Sequence, residues 1–316
     1  MSSEFDIIKK YFTRPTKADF GLDLGVGDDA ALIRVAEGMQ LAVSADMLVA
    51  GTHFFADAAP YDIGWKALAV NVSDMAAMGA QPKWATLAIA LSEVNESWLA
   101  EFSRGFFACA DTFNVSLIGG DTTRGPLNIS VTIMGEMPIG KALRRDSAQV
   151  DDDIWVSGQL GSAALTLAHL QGKISLNSDV LEDNIHALLR PIPRTDLGLK
   201  LREIANSAID ISDGLAADLG HILSASNVGA EIRLDAIPCA ESVKNAGLQY
   251  VLAGGDDYEL CFTASPENRS AIEKISAELD LPIALIGTIH KGYGLVVLDE
   301  NKQEISLEKT GYDHFT

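Results

Sequence analysis

Aspartates stand out in this sequence because of where they occur. Asp28 and Asp29 follow a Gly-Val-Gly turn, Asp46 ends Leu-Ala-Val-Ser-Ala-Asp, and Asp121 directly follows Leu-Ile-Gly-Gly. Each ends or interrupts an apolar stretch, where an ionised carboxylate destabilises the fold unless a partner compensates its charge. Few lysines or arginines lie near these positions in the sequence, so the pattern indicates a hard divalent cation. Oxygen donors from aspartate, serine and backbone carbonyls suit Mg²⁺ rather than Zn²⁺.

The same pattern recurs at Asp74, which ends Ala-Val-Asn-Val-Ser-Asp, and at Asp210 and Asp213 in Ala-Ile-Asp-Ile-Ser-Asp-Gly. A single aspartate after a strand is more often a helix N-cap. The joint pattern favours a metal site, because clustered carboxylates without a cation raise each other's pKa and destabilise the fold. The segments 70–74 and 209–213 also share an apolar run into Ser-Asp, which is either chance or one strand-to-helix turn used twice.

Glycines beside these aspartates indicate phosphate. A glycine lets phosphate oxygens come close to backbone N–H groups, and this applies at Gly25, Gly27, Gly119 and Gly120. Two familiar motifs are nevertheless rejected. The segment 135–141 matches GxxxxGK, but Ala142 stands where the P-loop needs a hydroxyl. The segment 25–30 matches a dinucleotide turn, but its two adjacent carboxylates would repel a pyrophosphate.

Composition excludes several classes of protein. The chain has 316 residues, 44 acidic and 24 basic, for a net charge of −20. So acidic a chain is a poor candidate for binding nucleic acid or an anionic membrane, and a 47% hydrophobic content excludes intrinsic disorder. There is no apolar run of transmembrane length and no signal-peptide pattern. Three widely spaced cysteines in apolar contexts indicate reduced core residues in a cytoplasmic protein.

Apolar periodicity predicts alternating strands and helices, which are typical of a chain with mixed α and β structure. Strands are expected at 41–48, 84–91, 115–118, 127–133, 154–157, 208–211, 230–234, 258–263, 283–289 and 294–298. Helices are expected at 62–78, after an N-cap at Asn95, at about 161–171, at 178–189, from Thr195 and at 213–224. A segment with little apolar pattern, residues 140–153, places a domain boundary near residue 148.

No nucleophile, zinc or redox-cysteine motif occurs in the sequence. His53 is the histidine of interest, because it follows Gly51-Thr52 just after the strand that carries Asp46. A lone histidine is more often structural than functional, and both interpretations of His53 stay open here.

Eight short motifs, in this order, resemble the thiamine-monophosphate kinase family, which shares its fold with aminoimidazole ribonucleotide synthetase and selenide water dikinase. The resemblance covers essentially the whole chain. The motifs are Gly-Asp-Asp-Ala at 27–30, Ser-Ala-Asp at 44–46, Gly-Thr-His-Phe at 51–54, the stretch 71–80, Gly-Gly-Asp-Thr-Thr-Arg-Gly at 119–125, Asp-Ile-Ser-Asp-Gly-Leu at 210–215, Gly-Gly-Asp-Asp-Tyr-Glu-Leu at 254–260 and Gly-Tyr-Asp-His-Phe at 311–315.

The resemblance implies a two-domain α+β fold. Residues 1–148 would form an ATP- and Mg²⁺-binding domain of sheet and helices that pairs with its twin in a homodimer, and residues 149–316 a C-terminal domain of α/β-plait type. The implied reaction transfers the γ-phosphoryl group of ATP directly to thiamine monophosphate, giving thiamine diphosphate, the last step of its biosynthesis. No catalytic residue beyond metal and phosphate positioning is implied, and neither is a nucleic-acid or membrane partner.

The resemblance also assigns roles to individual residues. Several Mg²⁺ ions would be held by Asp28, Ser44, Ala45, Asp46, Asp74, Asp121, Asp210 and Asp213. ATP would contact Gly120, Asp121, Arg145 and Ser212. Thiamine monophosphate would contact His53, Asp256 and Tyr312. Two positions depart from the family pattern: Ala45 replaces a threonine and offers only its carbonyl oxygen, and Asp256 replaces a glutamate and is one methylene shorter.

Direct transfer between phosphates agrees with the absence of an obvious catalytic base, because the acceptor phosphate is already an oxyanion. Such a reaction needs mainly positioning and charge neutralisation. Two alternatives stay open on the sequence: a non-catalytic subunit that binds Mg-nucleotide, and another ATP-using member of the same superfamily. No cysteine lies near the N-terminal glycine loop, which argues against selenium chemistry.

Overall fold

The computed structural model describes residues 4–14, 21–307, 309–312 and 315. Asp313 and His314 of the last sequence motif lie outside the described residues. Helices and strands are mixed throughout, as the sequence predicts, and the chain divides into two compact units. The first comprises Met1–Met75 and Ala80–Gly140, and the second comprises Ala76–Gly79 and Lys141–Thr316.

The first unit is built on a four-stranded sheet with the strand order β3-β6-β4-β5, so that β3 and β5 are its edges. β4 and β5 run parallel, and the other neighbours run antiparallel. In chain order its elements are α1 (Glu4–Ile7), extended by a wide helical turn at Ile8–Phe12, then β1 (Leu22–Leu24), β2 (Leu32–Ile33), β3 (Met39–Val49), α2 (Pro60–Ala77), β4 (Gln81–Leu91), α3 (Glu96–Thr112), β5 (Ser116–Arg124) and β6 (Asn128–Pro138).

Asn95 caps α3 by accepting a hydrogen bond from the N–H of Trp98 at 3.1 Å, as the sequence predicts.

Helices α2 and α3 pack closely against each other, with a glycine of each helix at the contact. A Cβ atom at Gly64 in α2 would lie 2.1 Å from the carbonyl oxygen of Phe102. A Cβ atom at Gly105 in α3 would lie 1.9 Å from the carbonyl oxygen of Tyr61. The two backbones are therefore closer than any side chain between them would allow.

The second unit contains a six-stranded sheet with the order β12-β9-β11-β7-β10-β8, in which only β12 and β9 are parallel neighbours. Both of its faces are covered, since adjacent residues Cys261 and Phe262 belong to two different apolar clusters. Its elements are β7 (Asp153–Ser157), α4 (Ser162–Leu170), α5 (Ser178–Leu189), α6 (Thr195–Leu201), β8 (Ser207–Asp210), α7 (Leu215–Ser226), β9 (Gly229–Arg233), α8 (Glu241–Ala246), α9 (Gln249–Leu252), β10 (Leu260–Ala264), α10 (Arg269–Leu279), β11 (Ile283–His290) and β12 (Gly294–Leu298).

Every strand and helix predicted from the sequence has a counterpart, although several bounds shift, as for β6, which runs to Pro138 rather than ending at 133. Three further differences concern the predicted site. β5 does not end before Gly119 and Gly120 but runs through them to Arg124. α7 begins at Leu215 rather than at 213. Asp74 lies inside α2, whereas Asp213 lies in a strand-to-helix loop, so the idea of one turn used twice is wrong. No helix among the described residues is long and apolar enough to cross a membrane.

We expect Gly105→Ala to destabilise the protein by about 2 kcal/mol or more, because the added methyl group must push α2 and α3 apart. Gly220→Ala is the matched control, since Gly220 lies in α7 and a Cβ atom there meets nothing within 4 Å. This control should be neutral or stabilise by up to about 1 kcal/mol through helix propensity. Denaturant unfolding measures both variants, and equal effects would contradict the close helix crossing.

Candidate functional site

An acidic cavity of about 550 Å³ lies in the first unit. Four carboxylates line it, those of Glu4, Asp28, Asp29 and Asp121, and all four residues are exposed. None of the described residues that line the cavity is a lysine, arginine or histidine. Phe5 and Ile8 contribute an apolar wall. Asp28 and Asp121 therefore line one cavity of this unit together with Gly27, Gly119 and Gly120.

Glycines at this cavity are required by the backbone itself. Gly27 has φ +124°, and the turn that follows is fixed by a hydrogen bond from the N–H of Asp29 to Oδ1 of Asp28 at 2.8 Å. Gly120 has φ +150°, and a Cβ atom there would lie 1.8 Å from the carbonyl oxygen of Leu87 on β4. Gly120 is thus explained by the pairing of β5 with β4, which also places Asp121 within a strand rather than after one.

A second group of predicted ligands forms where β3 contacts α2. The Ser44 hydroxyl donates a hydrogen bond to Oδ2 of Asp74 at 2.5 Å. The N–H of Asp46 donates to Oδ1 of Asn71 at 3.1 Å. Ser44 and Asp46 alternate with Ala45, so the Ala45 side chain lies on the other face of the strand. Directly after β3, Nδ1 of His53 accepts a hydrogen bond from the N–H of Val49 at 2.9 Å and closes the turn.

These two groups lie at opposite edges of one sheet. Asp46 pairs with Val131 on β6, and Asp121 pairs with Ala88 on β4, with β6 and β4 between them. Three strand spacings separate β3 from β5, which amounts to about 14 Å. Ligands of Mg²⁺ lie about 2 Å from the ion, so one ion cannot contact both carboxylates within a single copy of this unit.

In the second unit, a buried carboxylate organises the loop of residues 212–214 between β8 and α7. One oxygen of Asp218, Oδ2, accepts hydrogen bonds from the N–H groups of Ser212, Asp213 and Gly214 at 3.0, 3.0 and 3.1 Å. Burial raises the pKa of Asp218 to about 7, while the three N–H donors lower it and the charge of Asp213 raises it further. These bonds hold residues 212–214 out of the helix, which explains the late start of α7.

Predicted nucleotide and substrate contacts converge on this loop. The carbonyl oxygen of Ser212 accepts a hydrogen bond from the N–H of Asp256 at 2.8 Å, and that of Asp213 accepts one from the N–H of Tyr312 at 3.0 Å. The Tyr258 hydroxyl donates to Oδ1 of Asp256 at 3.1 Å. The backbone of the second unit therefore brings Ser212, Asp213, Asp256 and Tyr312 together.

Arg145 and Asp210 occupy different surroundings. Arg145 is exposed, and its carbonyl oxygen accepts a hydrogen bond from the hydroxyl of Ser226, the last residue of α7. It therefore lies at the opposite end of α7 from the 212–214 loop. Asp210 ends β8, is 4% exposed and pairs with Leu260 on β10.

The second acid of the Gly-Gly-Asp-Asp motif has a structural role that sequence reasoning missed. Both carboxylate oxygens of Asp257 lie 3.0 Å from the backbone N of Gly161, just before α4. Burial raises the pKa of Asp257, while the N–H groups of Gly161 and Ala163 lower it. Glu259 is likewise enclosed, by Arg194 and the Ser157 hydroxyl. The sequence gives no signal that separates these acids from Asp256.

The oxygen donors at this cavity suit a cation that is already bound to a substrate phosphate. Among the residues that the structure describes, no group of three or more histidine, cysteine, aspartate or glutamate side chains could hold an ion by itself. Mg²⁺ is commonly held by only one or two carboxylates together with substrate phosphates and water. Exposed aspartates beside a cavity without cationic side chains meet that requirement.

Comparison with known proteins gives a consistent assignment over the whole chain. Residues 27–137 match the AIR synthase related protein N-terminal domain, and residues 149–300 match the C-terminal domain. The thiamine-monophosphate kinase of Salmonella typhimurium is 43% identical over 99% of this chain and 98% of its own length.

Two solved structures are also similar. The thiamine-monophosphate kinase from Stenotrophomonas maltophilia is 49% identical, with a TM-score of 0.84 over 89% of this chain and 92% of that chain. AaThiL complexed with AMPPCP and TMP is 30% identical, with a TM-score of 0.79 over 89% of both chains.

Adjacent aspartates 256 and 257 should respond differently to the same substitution. Asp257→Asn places an amide donor against the N–H of Gly161, and we expect a loss of about 1–3 kcal/mol of stability from the unpaired buried group. Asp256→Asn keeps an oxygen that accepts from Tyr258, so its stability should stay near that of the wild type. Urea unfolding of both variants tests this. A larger loss for Asp256→Asn would contradict the division of roles.

Proposed function

This chain belongs to the AIR synthase related family and, within it, to the thiamine-monophosphate kinases, and on that premise we propose how it phosphorylates thiamine monophosphate with ATP. The product is thiamine diphosphate, and the reaction is the last step of its biosynthesis. The observation that carries the proposal is the cavity lined by Glu4, Asp28, Asp29 and Asp121 and by no cationic side chain among its described residues. A site for a triphosphate that is itself acidic has to bind the nucleotide together with metal ions.

We propose that this cavity takes the phosphates of ATP. When bound, Mg²⁺ neutralises the phosphate charge and draws donor and acceptor oxygens into line. Asp28 and Asp121 are exposed toward the cavity, and Gly120 leaves its backbone uncovered there. The residues that would hold the ions are the oxygen donors Asp28, Ser44, Asp46, Asp74, Asp121, Asp210 and Asp213, with Ala45 through its carbonyl oxygen. Ser212 and Arg145 would contact ATP from the two ends of α7.

The thiamine moiety is assigned to Asp256, Tyr312 and His53. Thiamine carries a cationic thiazolium ring, which a carboxylate and an exposed aromatic ring attract. Tyr312 is 52% exposed, and its backbone is fixed by the hydrogen bond to Asp213. Asp256 is held at φ +69° beside the same loop. These contacts would orient the substrate phosphate, which attacks as an oxyanion and needs no protein base.

Acceptor preference tests this reaction against its alternatives. We expect ADP release that requires both Mg²⁺ and thiamine monophosphate and that yields thiamine diphosphate. Thiamine should be a poor acceptor, because its neutral hydroxyl is not an oxyanion nucleophile and the protein supplies no base. Coupled detection of ADP with each acceptor, and chromatography of the products, measure this. Equal turnover with thiamine would contradict direct phosphate-to-phosphate transfer, and nucleotide binding without turnover would indicate a non-catalytic subunit.

We propose further that the protein works as a homodimer in the cytoplasm, in which its three free cysteines stay reduced. The support for a dimer is that Asp46 and Asp121 lie at opposite edges of one sheet, too far apart to share an ion. An apolar stripe on β3 also lies exposed along one face, at Met39, Leu41, Val43 and Met47. We propose that a second copy covers this stripe with the β3 edge of one protomer near the β5 edge of the other.

Mixed dimers test whether the site is shared. We expect Asp46→Asn and Asp121→Asn each to reduce kcat on the order of 10²-fold, the scale of losing one electrostatic stabiliser. A heterodimer with one substitution in each chain, isolated with two affinity tags, should recover about half of the wild-type activity because one of its two sites is intact.

The matched control carries both substitutions in one chain and pairs it with a wild-type chain. If the sites are shared, both sites of this heterodimer lack a carboxylate and it should stay inactive. If each site lies within one chain, the first heterodimer should be inactive and the control heterodimer should keep about half of the wild-type activity. That result would contradict the shared site. A monomer in sedimentation velocity would contradict the dimer itself.

A further inference from the structure

The start of α7 has the form of an anion site but is already filled by the protein. Three successive N–H groups at a helix N-terminus are a common site for phosphate. Here the N–H groups of Ser212, Asp213 and Gly214 all donate to Oδ2 of Asp218, which lies in the first turn of α7 and is 2% exposed. A phosphate would have to displace this carboxylate to reach them.

The carbonyl oxygens of residues 211–213 also accept hydrogen bonds from the protein. The carbonyl oxygen of Ile211 accepts from the N–H of Tyr258 at 2.8 Å, and the carbonyls of Ser212 and Asp213 accept from the N–H groups of Asp256 and Tyr312. A Cβ atom at Gly255 would lie 2.4 Å from the carbonyl oxygen of Ser212, so this contact excludes other groups. Of the described contacts of Ser212 and Asp213, none uses a side-chain polar atom. The Ser212 hydroxyl and the Asp213 carboxylate are therefore what this loop can offer to a ligand.

We infer that Asp218 is a positioning residue that makes the 212–214 loop a cation-binding turn and prevents it from binding phosphate directly. It withdraws three N–H donors from any anion and, by the same bonds, fixes the backbone from which the Ser212 hydroxyl and the Asp213 carboxylate project. Phosphate then reaches this loop only through a divalent cation. The inference rests on the proposed function, in which Ser212 and Asp213 belong to the nucleotide and metal site, and it adds the residue that determines their chemistry.

Two variants of Asp218 and one matched control test the inference. Asp218→Asn keeps the shape of the side chain, and Asp218→Ala removes the acceptor. The control is Asp152→Asn, because Asp152 is also a buried acid of the second unit and accepts from Gln149, Asn206 and Thr263. Asn206 precedes the first residue of β8 and Thr263 pairs with it, whereas the loop follows the last residue of β8. Its substitution should affect stability without affecting this loop.

Three readouts are expected to change together. Hydrogen exchange at the amides of 212–214 should accelerate in the order wild type, Asn, Ala. The affinity for AMPPCP at saturating Mg²⁺ should fall at least about tenfold, which corresponds to about 1.4 kcal/mol. Binding of inorganic tripolyphosphate in the presence of a chelator should become stronger than in the wild type. The gain should be larger for Asp218→Ala, which releases three N–H donors, than for Asp218→Asn, which keeps an oxygen acceptor and removes only the negative charge. A residue that only stabilised the fold would not produce this last gain.

Several results would overturn the inference. These are unchanged exchange at 212–214 in both variants, faster exchange with unchanged affinity for Mg-AMPPCP, or metal-free tripolyphosphate binding that stays the same or weakens. The same loss of Mg-AMPPCP affinity in Asp152→Asn would also overturn it. If Asp218→Ala fails to fold, the isosteric Asp218→Asn decides the outcome. None of these measurements needs turnover, so a wild-type protein that failed to form thiamine diphosphate would contradict the proposed function separately.

Discussion

A buried carboxylate needs hydrogen-bond donors from the protein to replace water. This constraint distinguishes two sets of acidic residues in the chain, one with protein donors and one exposed to solvent. Asp218 receives three backbone N–H groups, Asp257 receives the N–H of Gly161, and Glu259 receives Arg194 and the Ser157 hydroxyl. Asp28 and Asp121 stay exposed at a cavity without cationic side chains among its described lining residues. The first set holds the surrounding backbone in place, and in the proposed function the second set binds a cation from solution.

This division explains how a strongly acidic protein can handle two phosphorylated substrates. The phosphate groups of both substrates are anions, so in the proposed function their approach depends on cations that the nucleotide and the protein share. At the start of α7, three backbone N–H groups donate to the internal carboxylate of Asp218. The fold therefore contributes rigid oxygen donors and correct spacing, and it contributes little acid–base chemistry.

The ordered motifs identify the family from the sequence alone, and local patterns predict most of the helices and strands. The Asn95 cap and strand β6 are examples. Tertiary interactions account for the differences. The late start of α7 depends on Asp218, a contact that periodicity does not reveal. α10 was not anticipated, because only Ile272 and Ile275 of its eleven residues are buried. Strand order places Asp46 and Asp121 at opposite edges of the sheet, and no local pattern contains that order.

In the proposed function, the exposed aspartates and the nucleotide phosphates form one site that is completed by metal. Thermal unfolding of chelator-treated protein tests it most directly, with Mg²⁺ alone, AMPPCP alone, both together and neither, at one ionic strength. We predict that the increase in Tm with both exceeds the sum of the separate increases, because each ligand supplies the partner that the other lacks. Strictly additive increases, or an AMPPCP effect that is independent of Mg²⁺, would contradict a shared metal and phosphate site.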